Sequence, residues 1–167
     1  MHPAVFLGLG SNLGDREAAI DGALARLAAR GVRLRARSST WLTEPVGGPP
    51  QGLFLNAAAA VETALAPAEL LAAALAVERE MGRVRAERNG PRTIDVDLLL
   101  YGDRRVDEPG LSVPHPRLHE RRFVLAPLAE IARDVVHPTL GLTIAELFDR
   151  CPDRSGVRLF HGAGAPA

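Results

Sequence analysis

Residues 93–101 read TIDVDLLLY, an apolar run that contains two acidic residues. A short apolar run of this kind is typical of a buried β-strand. Asp95 and Asp97 interrupt it two positions apart, which places both side chains on the same face of the sheet. Two adjacent carboxylates are costly to bury unless a cation compensates them. The pair therefore suits Mg²⁺, which commonly joins one or two carboxylates to substrate phosphates; the alternative is a strand with a solvated polar face.

The periodicity of the apolar residues predicts the elements that precede this strand. Strands are expected over residues 4–10, 32–42 and 53–63, and helices over residues 16–30 and 67–81. With the strand at 93–101 this gives the order β-α-β-β-α-β, which is the ferredoxin-like pattern. The predicted fold class is α+β, with an antiparallel sheet and helices packed on one of its faces. Two further short helices are expected over residues 123–132 and 143–149.

The length of 167 residues suits a single domain, which we assign to residues 1–150. Residues 151–167 are rich in Gly, Ala and Pro and are expected to form a flexible tail.

Composition excludes several classes of function. The formal net charge is zero, so no overall field favours nucleic acid or an anionic membrane as a partner. The cationic residues are all Arg, which excludes a lysine nucleophile and a phosphate-loop lysine. The single cysteine, Cys151, cannot form an intrachain disulfide, and no segment resembles a signal peptide or a membrane span. A cytoplasmic location and a monomer are expected.

Four arginines, Arg83, Arg85, Arg88 and Arg92, precede the aspartate pair closely. Guanidinium groups bind phosphate oxygens two at a time, so these cations beside paired carboxylates suit a metal-bound polyphosphate. A solvated basic loop is the alternative interpretation. No Walker sequence is present, and residues 8–14 (GLGSNLG) lack the spacing of a dinucleotide-binding loop, so a tight strand-to-helix turn is expected there.

Other candidate residues are less specific when taken singly. His115 lies between Pro114 and Pro116 and could donate to a phosphate oxygen, although a lone histidine is more often structural. His119 follows four residues later, but no acidic partner makes a convincing zinc site with the two histidines, so no zinc is predicted. Asn56 lies in an apolar strand and must be satisfied either by the fold or by a ligand.

Aromatic and acidic residues add two more possibilities. Phe54 and Phe123 could flank a flat ring, unless they are ordinary core aromatics. Glu78, on the helix before the basic segment, could orient an arginine.

Taken together, these segments resemble the dihydropterin pyrophosphokinases of folate biosynthesis. Residues 90–102 (GPRTIDVDLLLYG) closely match the signature of that family. Six more blocks match in the same order, at residues 8–14, 43–45, 54–58, 82–85, 113–116 and 121–128. The resemblance runs from about residue 4 to about residue 148.

The resemblance implies a ferredoxin-like fold and transfer of pyrophosphate from ATP to 6-hydroxymethyl-7,8-dihydropterin, with release of AMP. It implies that Asp95 and Asp97 bind two Mg²⁺ ions. The residues it assigns to the pterin substrate are Thr43, Pro45, Val46, Phe54, Asn56, Asp95 and Phe123. Those it assigns to ATP are Glu78, Arg85, Arg92, Leu98, Ser112, His115 and Arg121, and those it assigns to catalysis are Arg83, Arg92 and Asp97. Residues 43–52 and 83–91 would be mobile loops that close over the site.

The chain also departs from that family at several positions. Asn89 replaces a Trp that many relatives carry, and Gly110 and Pro116 stand where some relatives use Arg and Tyr near the nucleotide. Two other hypotheses remain open. A ferredoxin-like nucleotidyltransferase would release pyrophosphate instead of AMP, and a non-catalytic ligand-sensing module would bind its ligand without magnesium.

Overall fold

The computed structural model describes residues 3–46, 48–82 and 93–161. The strands of its main sheet are β1 (Val5–Ser11), β2 (Val32–Arg37), β3 (Trp41–Thr43), β4 (Phe54–Thr63), β5 (Asp95–Tyr101) and β8 (Val157–Leu159). A separate hairpin consists of β6 (Val106–Glu108) and β7 (Leu111–Val113). The helices are α1 (Arg16–Ala29), α2 (Pro67–Glu80), α3 (Arg122–Ala132) and α4 (Ile144–Asp149).

The main sheet is antiparallel, with the order β5-β1-β4-β3-β8, and β2 pairs with β4 beside β3. The predicted α+β class and antiparallel sheet are confirmed. The expectation of one continuous strand over residues 32–42 is wrong, because the chain breaks between β2 and β3. At the break, the Ser38 backbone N–H donates to Ala58 O over 2.9 Å, and the Ser38 hydroxyl accepts from Ala58 N over 2.8 Å. Glu130 of α3 accepts from the backbone N–H of Ser39 (2.8 Å), which fixes the bend.

Helices cover both faces of the sheet, so the expectation that they pack on one face is wrong. Helices α1 and α2 pack on one face, with Ile20 and Leu70 among the buried residues, and α3 and α4 pack on the other. The physical reason lies in runs of consecutive apolar residues in β1 and β4, such as 57–60, because such runs present apolar side chains to both faces.

The ends of the first two helices follow local chemistry. The Asp15 side chain accepts from Ala18 N (3.1 Å) and caps α1, whereas Gly31, with φ of 85°, follows its end. Pro67 is the first residue of α2, where its missing N–H has no cost. Within the described ranges, no helix is both long enough and apolar enough to cross a bilayer.

The flexible tail expected from residue 151 is wrong over residues 151–161. Cys151 is buried, and β8 pairs with β3 through Val157 opposite Thr43 and Leu159 opposite Trp41. The composition, rich in Gly and Pro, does not indicate the three-residue strand β8, because its partner β3 lies more than a hundred positions earlier in the chain. Residues 162–167 lie outside the described part.

Candidate functional site

A row of three paired residues crosses the sheet at one end. Asn56 of β4 lies opposite Gly10 of β1, and Gly10 lies opposite Asp95 of β5. A Cβ atom on Gly10 would lie 2.5 Å from Asn56 Oδ1, closer than real Cβ contacts come. The glycine therefore leaves room for the Asn56 amide on the face that also carries Asp95. This explains one glycine of the segment GLGSNLG, which lies at the base of the site.

A cavity of about 500 Å³ opens over this row. Its volume suits a small heterocycle with part of a second ligand. Its walls come from the sheet, from the loop after β3, from the start of α3 and from the C-terminal segment. The lining residues are Gly10, Thr43, Glu44, Pro45, Val46, Phe54, Asn56, Asp95, Arg117, Glu120, Arg121, Phe123, Pro152 and Asp153. All seven residues assigned to the pterin by resemblance belong to this set.

The amide of Asn56 is held in place by the fold. Asn56 is 7% exposed and its Nδ2 donates to Thr43 Oγ1 over 2.6 Å, so one of its donors is satisfied inside the protein. Thr43 is itself buried at the end of β3. The side chain is thus fixed before any ligand arrives, which favours recognition of a specific hydrogen-bonding edge.

Two half-buried aromatic rings line the same cavity. Phe54 begins β4, and Phe123 lies in the first turn of α3. The Arg121 guanidinium carbon lies 5.7 Å from the centroid of the Phe123 ring, within the range of a cation–π contact. The cavity therefore combines apolar ring faces with a cation at their edge.

The aspartate pair lies on β5 as its spacing predicted. Asp95 and Asp97 are half-buried and alternate with Val96 and Leu98, whose side chains join the core on the α1 and α2 face. Between the two carboxylates, Val96 N donates to Glu78 Oε2 over 2.8 Å. Glu78 is 3% exposed, so a buried carboxylate of α2 fixes the main chain that carries the pair.

The donor set of the pair fits Mg²⁺. No cluster of three or more His, Cys, Asp or Glu side chains suited to a metal occurs among the described residues. Asp95 and Asp97 would each supply carboxylate oxygen, with other positions open to water and phosphate. This is how Mg²⁺ is commonly held at phosphoryl-transfer sites, whereas zinc prefers nitrogen and sulfur ligands.

His115 is neutral at physiological pH. Burial lowers the pKa of its imidazole from 6.5 to about 4, helped by the charges of Arg121 and Arg117 and opposed by that of Asp95. Its backbone N–H donates to Leu99 O (2.9 Å), and its Nδ1 accepts from Arg117 N (3.2 Å). Because Nδ1 accepts, the single proton of the neutral ring lies on Nε2, which can donate to a ligand oxygen.

Some predicted residues lie elsewhere or outside the described ranges. The Leu98 side chain is in the core, so any contact with ATP must come from its main chain. Ser112 is exposed on β7, away from the cavity lining, and remains a prediction. Arg83, Arg85 and Arg92, with the expected loop 83–91, lie outside the described residues.

Several residues that line the cavity were missed from sequence. Arg117 and Glu120 form an ion pair of 3.3 Å at its rim, and their spacing of three positions was the available signal. Glu44 lies inside the matched block 43–45 but was not singled out. Pro152 and Asp153 gave no signal, because they belong to the segment that was taken for a tail.

Comparison with known proteins identifies the family. The sequence model of the 7,8-dihydro-6-hydroxymethylpterin-pyrophosphokinase family (HPPK) matches residues 6–133. The chain belongs to this family. It is 50% identical over 153 residues to the 2-amino-4-hydroxy-6-hydroxymethyldihydropteridine pyrophosphokinase of Methylorubrum extorquens, covering 91% of this chain and 95% of the relative. It is 44% identical to the Pseudomonas aeruginosa protein of the same name over 93% of this chain and 96% of that one.

These matches confirm the family predicted from the sequence, and with it the enzyme class, a pyrophosphokinase of folate biosynthesis. Solved structures agree on the fold. A Plasmodium falciparum HPPK-DHPS crystal structure is similar at a TM-score of 0.69 with 15% identity, over 90% of this chain and 44% of that one. An HPPK-DHPS in complex with substrates gives a TM-score of 0.72 with 12% identity, over 89% and 43%. The chain thus spans less than half the length of these structures.

Proposed function

We propose that this protein transfers pyrophosphate from ATP to 6-hydroxymethyl-7,8-dihydropterin, giving the pterin diphosphate and AMP. The observation that carries the proposal is the single cavity in which Phe54, Asn56, Asp95, Arg121 and Phe123 meet. Family membership indicates the reaction. The cavity offers two aromatic rings for a flat substrate beside the carboxylate of Asp95 and the guanidinium of Arg121.

The pterin would bind at the aromatic end. Phe54 and Phe123 offer apolar ring faces, and Asn56, oriented by Thr43, offers an amide edge. A pterin presents donors and acceptors in fixed positions along one edge, so a preoriented amide and the main chain of residues 43–46 can discriminate it from other flat rings.

The triphosphate would lie toward β5. Asp95 and Asp97 would hold two Mg²⁺ ions, which neutralise phosphate charge when bound. Arg83, Arg85, Arg92 and Arg121 are proposed to bind the phosphates or to stabilise charge that develops during transfer. Such transfers require little covalent chemistry from the protein, and positioning carries most of the rate enhancement.

His115 is proposed to donate from Nε2 to a phosphate oxygen. Its lowered pKa keeps the imidazole neutral at pH 7, so it contributes a hydrogen bond and not a positive charge. The substrate hydroxyl must lose a proton during attack on the β-phosphorus, and Asp97 is the proposed acceptor. Kinetics in which Asp97→Asn retained full activity would remove that assignment.

Residues 83–91 and 43–52 are proposed to close over the bound substrates and to exclude water, which would otherwise consume ATP. We further propose that the protein acts as a monomer in the cytoplasm and requires neither nucleic acid nor a membrane.

Nucleotide product analysis tests the reaction. Purified protein is incubated with ATP, Mg²⁺ and 6-hydroxymethyl-7,8-dihydropterin, beside the Asp95→Ala variant and the matched Asp107→Ala variant, which alters an exposed aspartate of β6. We expect AMP and pterin diphosphate in equal amounts from the wild type and from Asp107→Ala, and neither from Asp95→Ala. Formation of ADP, or release of pyrophosphate without a pterin diphosphate, would contradict the proposal.

A further inference from the structure

The segment 152–156 joins two walls of the cavity that are distant in sequence. One wall is the start of α3, which carries Arg121 and Phe123, and the other is the loop after β3. Pro152 and Asp153 themselves line the cavity. The segment continues into β8, whose pairing with β3 anchors it to the sheet.

The Asp153 carboxylate holds the first wall. Its Oδ2 accepts from the backbone N–H of Arg122 over 3.0 Å, and Arg122 lies directly between Arg121 and Phe123. Helix α3 has no capping side chain of its own at Arg121. The first helical N–H groups lack partners within a helix, so Asp153 supplies the missing acceptor from 31 positions away.

The other end of the segment holds the second wall. Gly156 N donates to Glu44 Oε1 over 2.8 Å, and Glu44 N donates to Gly156 O over 3.2 Å. A Cβ atom at Gly156 would lie 2.3 Å from Glu44 Oε1, so the approach depends on glycine. Glu44 lies between Thr43 and Pro45, both of which line the cavity.

We propose that Asp153 is a positioning residue for pterin binding and transfer: through Arg122 N it sets the start of α3, and thereby the placement of Phe123 and Arg121. This inference rests on the function proposed above. It extends that function to a residue of the C-terminal segment that was predicted to be a flexible tail.

The hydrogen bonds of Asp153 favour an indirect role over direct contact with the substrate. Oδ2 accepts from Arg122 N, while Oδ1 accepts from both Ser155 N (2.8 Å) and Ser155 Oγ. Both oxygens are therefore engaged by the protein. Burial acts to raise the pKa of Asp153, but the hydrogen bonds from Ser155 and Arg122 outweigh it and hold the pKa below its usual value. The group is thus an ionised acceptor at neutral pH.

The test compares three variants with a matched control. Asp153→Ala removes the acceptor, Asp153→Asn retains an oxygen for Arg122 N, and Ser155→Ala removes one of the groups that fix the carboxylate. Asp149→Ala is the control, because Asp149 is an exposed aspartate that lies outside the cavity lining. For each protein we would measure kcat, the KM for pterin, the KM for ATP and the thermal unfolding midpoint.

We expect Asp153→Ala to raise the pterin KM about tenfold through Phe123, to raise the ATP KM severalfold through Arg121, and to lower kcat severalfold. Asp153→Asn should recover part of this loss, because its oxygen can accept from Arg122 N while its NH2 group faces Ser155 N. Ser155→Ala should raise the pterin KM two- to threefold, and Asp149→Ala should match wild type. A merely structural role would lower the unfolding midpoint and leave both KM values unchanged.

Two results would overturn the inference. One is a pterin KM for Asp153→Ala equal to that of Asp149→Ala. The other is equal impairment of Asp153→Ala and Asp153→Asn, which would mean that an oxygen acceptor for Arg122 N does not by itself set the pterin KM. If Asp153→Ala does not fold, Ser155→Ala decides alone, and a wild-type pterin KM then overturns the inference. Absence of pterin-dependent turnover in the wild type would instead refute the proposed function, so the two failures are distinguishable.

Discussion

The two faces of the sheet are built from the same strands, but only one of them carries the site. On the first face, α1 and α2, each of 14 residues, cover β1, β4 and β5 with apolar side chains. On the second face, α3 and α4 are 11 and 6 residues long, and the cavity opens over the row that joins Asn56, Gly10 and Asp95.

Strand β5 shows the difference at single-residue scale. Val96 and Leu98 point into the first face, and Asp95 and Asp97 point into the second. Because side chains alternate along a strand, one segment can supply core packing and a charged site without conflict. The apolar residues of β5 on the first face should therefore contribute mainly to stability, and its two aspartates on the second face mainly to activity.

Removing a carboxylate from the second face should give the largest effect on activity. We expect Asp97→Ala to lower kcat/KM about a thousandfold, since loss of a metal ligand forfeits several kcal/mol of charge stabilisation. The free energy of unfolding of the metal-free protein should change by no more than about 1 kcal/mol, because the half-buried Asp97 side chain contributes little apolar packing. Steady-state kinetics and urea unfolding would measure the two quantities, with Asp107→Ala as control. A large loss of stability would contradict the separation of the two faces.

The opposite result is expected one position away. Leu98 is 6% exposed in the first face, so Leu98→Ala should reduce the free energy of unfolding by about 2–4 kcal/mol through a buried cavity. We expect kcat/KM per folded molecule to remain within about threefold of wild type at 25 °C. Urea unfolding with activity normalised to the folded fraction checks this. A hundredfold loss of activity in the folded protein would show that packing on the first face also positions the aspartates.

The contrast between the faces also decides what could be predicted from sequence. Alternation in TIDVDLLLY was sufficient to place both aspartates on one face, and the helical periodicity of the apolar residues located α1 and α2. These signals are local, since they depend on neighbours within one or two turns.

Signals that depend on distant partners were not available. Strand β2 ends before Ser38 because Ala58 binds the Ser38 side chain and Glu130 binds the Ser39 backbone N–H. Strand β8 forms because β3 has a free edge with which it can pair. Asp153 gains its place in the cavity lining from a hydrogen bond to Arg122 that no local pattern records. Packing of α3 and α4 against the second face was missed for the same reason.

The glycine in the row across the sheet offers a sharper test of the second face. Gly10→Ala adds a Cβ that would lie 2.5 Å from Asn56 Oδ1, so the amide must move. We expect the pterin KM to rise about tenfold while the ATP KM changes little, because Asn56 and Thr43 belong to the proposed pterin end. Gly8→Ala is the matched control, since its Cβ would meet only the Leu99 side chain at 3.4 Å. Equal effects of the two variants would argue against a specific role for the Asn56 amide.

The smallest expected effect is on the way in which the free energy of unfolding depends on pH. His115 has a pKa of about 4 in the folded protein and 6.5 when unfolded, mainly because burial disfavours its charged form and Arg121 adds to this, while Asp95 opposes it. Between these two pH values the unfolded chain binds a proton that the folded protein does not, so the contribution of His115 to stability is present above pH 6.5 and is lost as the pH falls toward 4.

The variant His115→Gln removes that dependence. On going from pH 7 to pH 5 in metal-free buffer, we expect the wild type to lose on the order of 1 kcal/mol more stability than the variant. His137 also has a lowered pKa, caused first by burial, and it titrates in the same direction in both proteins, so it cancels from the difference. Urea unfolding at the two pH values measures the effect. Parallel losses in wild type and variant would mean that the pKa of His115 in the folded protein stays near 6.5, so that burial and Arg121 do not lower it.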